Sequence, residues 1–293
     1  MYKIISDSAC DLSQKYIQEH DITIVPLSVS FDGEHYYKDT LEISRDDFYQ
    51  QMVDHPNVFP KTSLPSVESY ADIFVKYAKQ NIPLICFTIS LAFSGSYNSA
   101  MNAKELVLEE YPDASIEVIN SQQNTVTQAL IVDQMVRMRD NGVSFEDSLS
   151  KLEKLMASAR IIFTIGSLDY LQKGGRIGKV AIAATSKLGI KPIIIMKDGD
   201  ISLGGIGRNR NKLKASIIQL TKKYLTEEGL DNFFISAGYG YDASEGFSFM
   251  NQIEEELGCK LHSDTNVKIG VVSAVHTGPH AIGIGVIQKY ETL

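Results

Sequence analysis

The chain has 293 residues, 44% apolar and 22% charged, and 28 Lys plus Arg against 36 Asp plus Glu leave a net charge of −8. That balance argues against nucleic acid or an anionic membrane as the main partner, since both call for basic surfaces. No apolar run is long enough to span a bilayer, and the chain opens on MYKIIS without a basic region or a hydrophobic leader. Cys10, Cys86 and Cys259 are scattered, with neither metal-ligand nor CxxC spacing. The expectation is a cytoplasmic protein with reduced thiols and no stable membrane insertion.

Taken in chain order, apolar β-rich runs alternate with helical patterns, which predicts an α/β protein. Strands are expected near residues 2–6, 22–31, 82–89 and 115–119. Between them, Ser44 precedes RDDFYQQMVDH with Asp47 at the capping-box position, and Ser66 precedes VESYADIFVKYAKQ. Further helices are expected over about 96–110 and 122–140, with another after Ser144. This half, residues 1–160, reads as a Rossmann-like, largely parallel, doubly wound layer whose ligand crevice lies outside the C-terminal strand ends.

The second half, residues 161–293, opens on IIFTIGSL, followed by a Gly-rich loop and a small-residue helix at 181–188. PIIIM and ISLGG flank Lys197-Asp198-Gly199-Asp200, a hairpin with Asp-Gly as its turn. Helices near 209–228 and 243–258 surround a strand at 232–237, and two final strands are expected to flank His276-Thr277-Gly278-Pro279. Hairpins with helices predict an α/β unit with a mixed sheet.

Four clusters carry polar chemistry. Ser66 is either a helix cap alone or a cap that also serves a site, whereas Thr62 and Ser63 lie further out and could meet an anion, a carboxylate included. Ser90, Ser94, Gly95 and Ser96 occupy a strand–turn–helix corner, where doubly wound proteins bind ligands. The nucleophile elbow G-x-S-x-G is absent there, so covalent serine catalysis has little support. Lys173-Gly174-Gly175-Arg176-Ile177-Gly178-Lys179 is no Walker loop. It is either a basic surface loop or a place where Arg176 binds a carboxylate, a phosphate or a partner protein. His276 and His280 are four apart, but Gly278-Pro279 separates them and no cysteine or carboxylate stands beside them, so a metal pair is not expected. His276 alone is either structural or a ligand neighbour.

Together these stretches resemble the DegV family along essentially the whole chain. The resemblance is carried by Ser6-Asp7-Ser8 with Asp11-Leu12, Lys61-Thr62-Ser63-Leu64-Pro65-Ser66 and Ser94-Gly95-Ser96-Tyr97-Asn98-Ser99-Ala100. Leu171-Gln172-Lys173-Gly174-Gly175-Arg176-Ile177, Arg208-Asn209-Arg210 and His276-Thr277-Gly278-Pro279 complete it. The resemblance implies a two-domain α/β protein with a long-chain fatty acid in an apolar tunnel. It implies that Thr62, Ser63, Ser94, Gly95, His276, Thr277 and Gly278 line the ligand, and that Arg176 serves the head group or a partner contact. It further implies a non-catalytic lipid carrier, without a cofactor, that presents the carboxylate to a separate bacterial fatty acid kinase feeding phospholipid synthesis. Two other readings follow from the same kinship: a small-carbonyl-binding subunit related to dihydroxyacetone kinase, and a regulatory lipid sensor. The chain departs from the family pattern at Thr127 and Ala129, where many relatives carry glycine, and at His280, usually a small residue.

Overall fold

A computed structural model describes residues 2–181 and 190–293. The small-residue helix expected at 181–188 lies almost entirely outside these residues. The first layer is the expected parallel sheet, of order β2-β1-β6-β7, from β1 (Lys3–Asp7), β2 (Ile22–Val25), β6 (Leu84–Thr88) and β7 (Ile116–Asn120). Its crossovers are helices α1 (Gln14–Glu19), α3 (Val67–Ala78) and α4 (Ser96–Glu110). Ser13 and Ser66 cap α1 and α3 by accepting from Tyr16 N and Ser69 N. Strands β1 and β6 are buried at every position, as a parallel sheet covered on both faces requires.

The single run expected at 22–31 is instead two strands. Pro26 has no N–H to give a ladder, and the chain leaves the parallel sheet there. Residues beyond it form β3 (Ser28–Ser30), which pairs antiparallel with β4 (Tyr37–Lys38) and β5 (Lys61–Ser63) in a small separate sheet. Thr62 and Ser63 therefore sit on a strand ahead of the α3 cap, with Thr62 opposite Val29. Helix α2 (Arg45–Asp54) is capped by Ser44, which accepts from Asp47 N.

The other large sheet is mixed, of order β10-β9-β8-β13-β11-β12. Its strands are β8 (Arg160–Thr164), β9 (Lys191–Lys197), β10 (Asp200–Gly207), β11 (Phe233–Tyr239), β12 (Val267–Lys268) and β13 (Ile282–Gln288). The β9–β10 hairpin turns at Asp198 and Gly199, whose φ of 51° and 84° suit a tight two-residue turn. Helices α8 (Arg210–Glu228) and α9 (Ala243–Leu257) follow β10 and β11.

Helix α5 (Thr125–Asp140) is buried at nearly every position, because it packs on β1 on one side and on β11 and β13 on the other. Its close approach to β13 depends on Gly285, where a Cβ would lie 2.4 Å from Val126 Cγ2 and 2.8 Å from Thr127 Oγ1. The extra bulk at Thr127 is thus accommodated by a missing side chain on the facing strand. Helix α6 (Phe145–Ser158), capped by Ser144, closes this layer.

The C-terminal expectation needs correction. Residues Val271–Thr277 are not a strand but helix α10, and only β13 follows the His-Thr-Gly-Pro turn. An apolar run that is buried on all sides has no polar face to betray its period, so a buried strand and a buried helix read alike. Gly270 caps the N-terminus, and Gly278, at φ 74°, ends the helix in a conformation open to glycine. His276 consequently occupies the last turn of a helix rather than a strand end.

Candidate functional site

Helix α10, strand β5, the corner after β6 and the loop following α7 (Asp169–Lys173) meet around a cavity of about 220 Å³. Thr62, Ser63, Ser94, Arg176, His276 and Thr277 all line it, so six of the eight expected residues come together although they derive from distant parts of the chain. Gly95 and Gly278 stand behind the wall. Gly95 caps α4, with Leu64 between it and the space, and Gly278 lines a different depression beside Tyr170.

Apart from Leu64 and Leu171, which stand in the motifs quoted above, the remaining wall carries no sequence motif. Leu27, Ile89, Phe93, Phe163, Leu171, Met196, Ile201 and Val272 make it predominantly apolar, and Asn124 and Ser273 add polar groups. Apolar side chains lining a cavity carry no signal that separates them from core. Ser273 is one helical turn before His276 and Thr277, a spacing visible only once this stretch is known to be helical. Its hydroxyl is buried with no hydrogen-bond partner among the described residues.

The polar end is organised by a few bonds. His276 Nε2 lies 3.1 Å from Thr62 Oγ1. Nδ1 of the same ring is buried and faces Gly174, where a Cβ would stand 2.2 Å away. The glycine of the Lys-Gly-Gly-Arg loop is thus what lets this loop close over the imidazole. Arg176 donates from Nε to the Phe93 carbonyl at 3.0 Å and from Nη1 to the Gly174 carbonyl at 2.5 Å, tying its loop to the corner after β6. It makes no salt bridge to a carboxylate among the described residues. Burial, and then the charge of Arg176, push the His276 pKa down to about 4, so the ring is neutral at neutral pH. Ser94 Oγ lies 2.8 Å from Ser96 Oγ and accepts from Ser96 N, which holds it at the α4 entrance. Ser90 does not line the cavity but donates to the Gly199 carbonyl at 2.7 Å, joining the two halves of the chain.

The Ser6-Asp7-Ser8 and Asp11 motif supports the site from beneath. Asp7 Oδ2 accepts from Ile89 N at 2.7 Å and Oδ1 from Gln128 Nε2 at 2.8 Å, fixing the end of β6 against α5. Asp11 lies against Gly270 at the start of α10, a favourable place for a carboxylate. Burial raises both carboxyls to about 7. A carboxyl raised from 3.8 to about 7 on folding adds stability that is complete below 3.8 and is lost as pH rises through about 7. The stability margin of the wild type over Asp7→Asn is therefore expected to be widest in acid and to shrink towards neutrality. Denaturant titrations of both chains across this range check it, and a margin that grows with pH would contradict it. His276 contributes the opposite slope, but equally to both chains.

Among the described residues, no cluster of three His, Cys, Asp or Glu side chains is placed to hold a metal ion, and no helix is long and apolar enough to cross a membrane.

The model of the DegV family of uncharacterised proteins matches residues 1–289. A DegV domain-containing protein of Staphylococcus aureus is 30% identical over 289 residues, covering 98% of each chain. Among solved structures, a stearic acid-binding protein from Eubacterium ventriosum is 69% identical over 100% of both chains, with a TM-score of 0.98. A fatty-acid-binding DegV family protein from Thermus thermophilus is 25% identical over 98% of this chain and 99% of its own, with a TM-score of 0.86.

Proposed function

The chain belongs to the DegV family, and from that premise we propose that it binds a long-chain fatty acid in the cavity beneath α10 and presents the carboxylate to a separate fatty acid kinase. The observation that carries this reading is one cavity lined by apolar side chains together with the hydroxyls of Thr62 and Ser94, the guanidinium of Arg176 and the imidazole of His276. The likeness to a stearic acid-binding protein at 69% identity supports the same ligand class.

The chemistry is that of an amphiphile. Each methylene removed from water contributes roughly 0.8 kcal/mol, so the tail supplies most of the affinity. The head needs donors and positive charge, because a carboxylate buried without partners is costly. The Thr62, Ser94 and Ser273 hydroxyls are the proposed donors, and Arg176 supplies a cation. With His276 Nε2–H donating to Thr62 Oγ1, the threonine's own proton is free for a carboxylate oxygen. The imidazole is then a positioning group. Its depressed basicity, and a hydroxyl rather than a carboxylate as its partner, make it a poor general base at neutral pH. That chemistry supports the proposed carrier role, with the kinase transferring the γ-phosphoryl group of ATP to the presented carboxylate. The division into units 1–160 and 161–293 belongs to the same proposal.

Titration of delipidated protein with stearic acid and with octadecanol tests the head-group assignment. The acid is expected to bind with one equivalent and at least roughly tenfold more tightly, the worth of charge-assisted hydrogen bonds. Equal affinity for the alcohol, or no binding of the acid, would overturn it.

A further inference from the structure

A second, smaller cavity of about 30 Å³ adjoins the first, and the two share Asn124, Phe163 and Thr277 as wall residues. Beyond this collar Thr125 is the one polar wall residue, and the apolar ones are buried: Val126 is 1% exposed, Ile161 5%, Ile269 7% and Ala281 2%. Thr277 donates its hydroxyl to the Ser273 carbonyl at 2.9 Å, so its hydrogen is already engaged. The Phe163 position on β8 pairs with Gly283 on β13, itself a wall residue of the small cavity, and a Cβ on that glycine would stand 2.4 Å from Phe163 Cβ. The missing side chain at Gly283 is what makes room for Phe163 at the junction. An aromatic ring on such a junction, with a small, mainly apolar pocket behind it, is a partition that a hydrocarbon chain can pass when the ring rotates. The pocket exceeds the space one water needs, and the polar groups among its wall residues are those of Asn124, Thr125 and Thr277, the last with its hydrogen already engaged.

Resting on the fatty-acid reading above, we propose that Phe163 gates a terminal pocket which receives the last carbons of the acyl chain and sets the longest acid the protein accommodates. The polar groups Thr62, Ser94, Arg176 and His276 gather on the larger cavity and none lines the smaller, which gives the chain a direction. A tail that reaches the pocket gains about fourfold in affinity per buried methylene, and one that is too long must bend back or leave carbons in water.

The test compares myristic, palmitic, stearic and arachidic acids on delipidated wild type, Ala281→Leu and Phe163→Ala. Ala281→Leu fills the pocket, and the affinity maximum is expected to move to an acid about two carbons shorter. Its affinity for the acid that the wild type prefers is expected to drop roughly 15-fold while that for myristic acid is unchanged. Phe163→Ala, which leaves the pocket open, is expected to move the maximum to a longer acid. It keeps the inference falsifiable should the leucine variant not fold. An unchanged length profile in the folded variants, or equal weakening at every length, would overturn this inference alone. A wild type that binds none of the four acids would overturn the fatty-acid reading and this inference with it.

Discussion

The double variant Thr62→Val/Ser94→Ala is expected to bind stearic acid about a hundredfold more weakly than the wild type. Both hydroxyls line the polar end of the cavity, and Thr62 is also the partner of His276 Nε2. A hydrogen bond to a charged group contributes about 1.5–3 kcal/mol, so losing two costs about 3 kcal/mol or more. Ser94 is bonded only to its near neighbour Ser96, so its loss should leave stability almost unchanged, whereas Thr62→Val unpairs His276 Nε2 and is expected to cost about 1–3 kcal/mol of stability. Residual binding should persist, since the apolar wall is untouched. Isothermal titration of delipidated protein measures the ratio, and undiminished affinity would remove these two groups from the head-group site.

The second large effect concerns stability rather than ligand. Gly240 follows β11 and lies against the turn that leads from α10 into β13, where its N–H donates to the Ala281 carbonyl and Tyr241 N–H to the Pro279 carbonyl. A Cβ at Gly240 would stand 2.2 Å from the Pro279 oxygen, a backbone atom that cannot rotate away. Gly240→Ala must therefore push the 279–281 segment outward, breaking both bonds and shifting the end of α10. Overpacking costs about 1–3 kcal/mol, and the lost hydrogen bonds add to it, so a fall in Tm of roughly 6–10 °C is expected. Gly205→Ala is the control, because a Cβ there meets Ile193 only at 3.5 Å, an ordinary contact. Equal melting temperatures for the two variants would contradict the account of this turn.

The α/β class and the parallel pairing of the first sheet, though not its strand order, were legible because buried strands and capped helices alternate, and Ser44, Ser66 and Ser144 each cap the helix expected of them. Pro26 was the visible mark of a strand break that the long run 22–31 passes over. Thr62 and Ser63 stood out as hydroxyls beyond the α3 cap and Arg176 as a cation in a Gly-rich loop, and six of the eight expected residues line one cavity. The stretch around His276 was misread because period cannot be told from an apolar run buried on every side. That error also hid Ser273, which belongs to the site only by helical spacing. Phe163, Asn124 and the glycines that face α5 were silent for a different reason. Their roles follow from what stands opposite them across the sheets, a relation between distant residues that no local pattern records.

The most direct measurement is the mass of whatever the purified protein carries. Denaturing extraction of freshly prepared protein should release close to one equivalent of a long-chain fatty acid, and the intact chain should show no covalent adduct. Repeatedly lipid-free preparations that also refuse added palmitic and oleic acids would contradict the account.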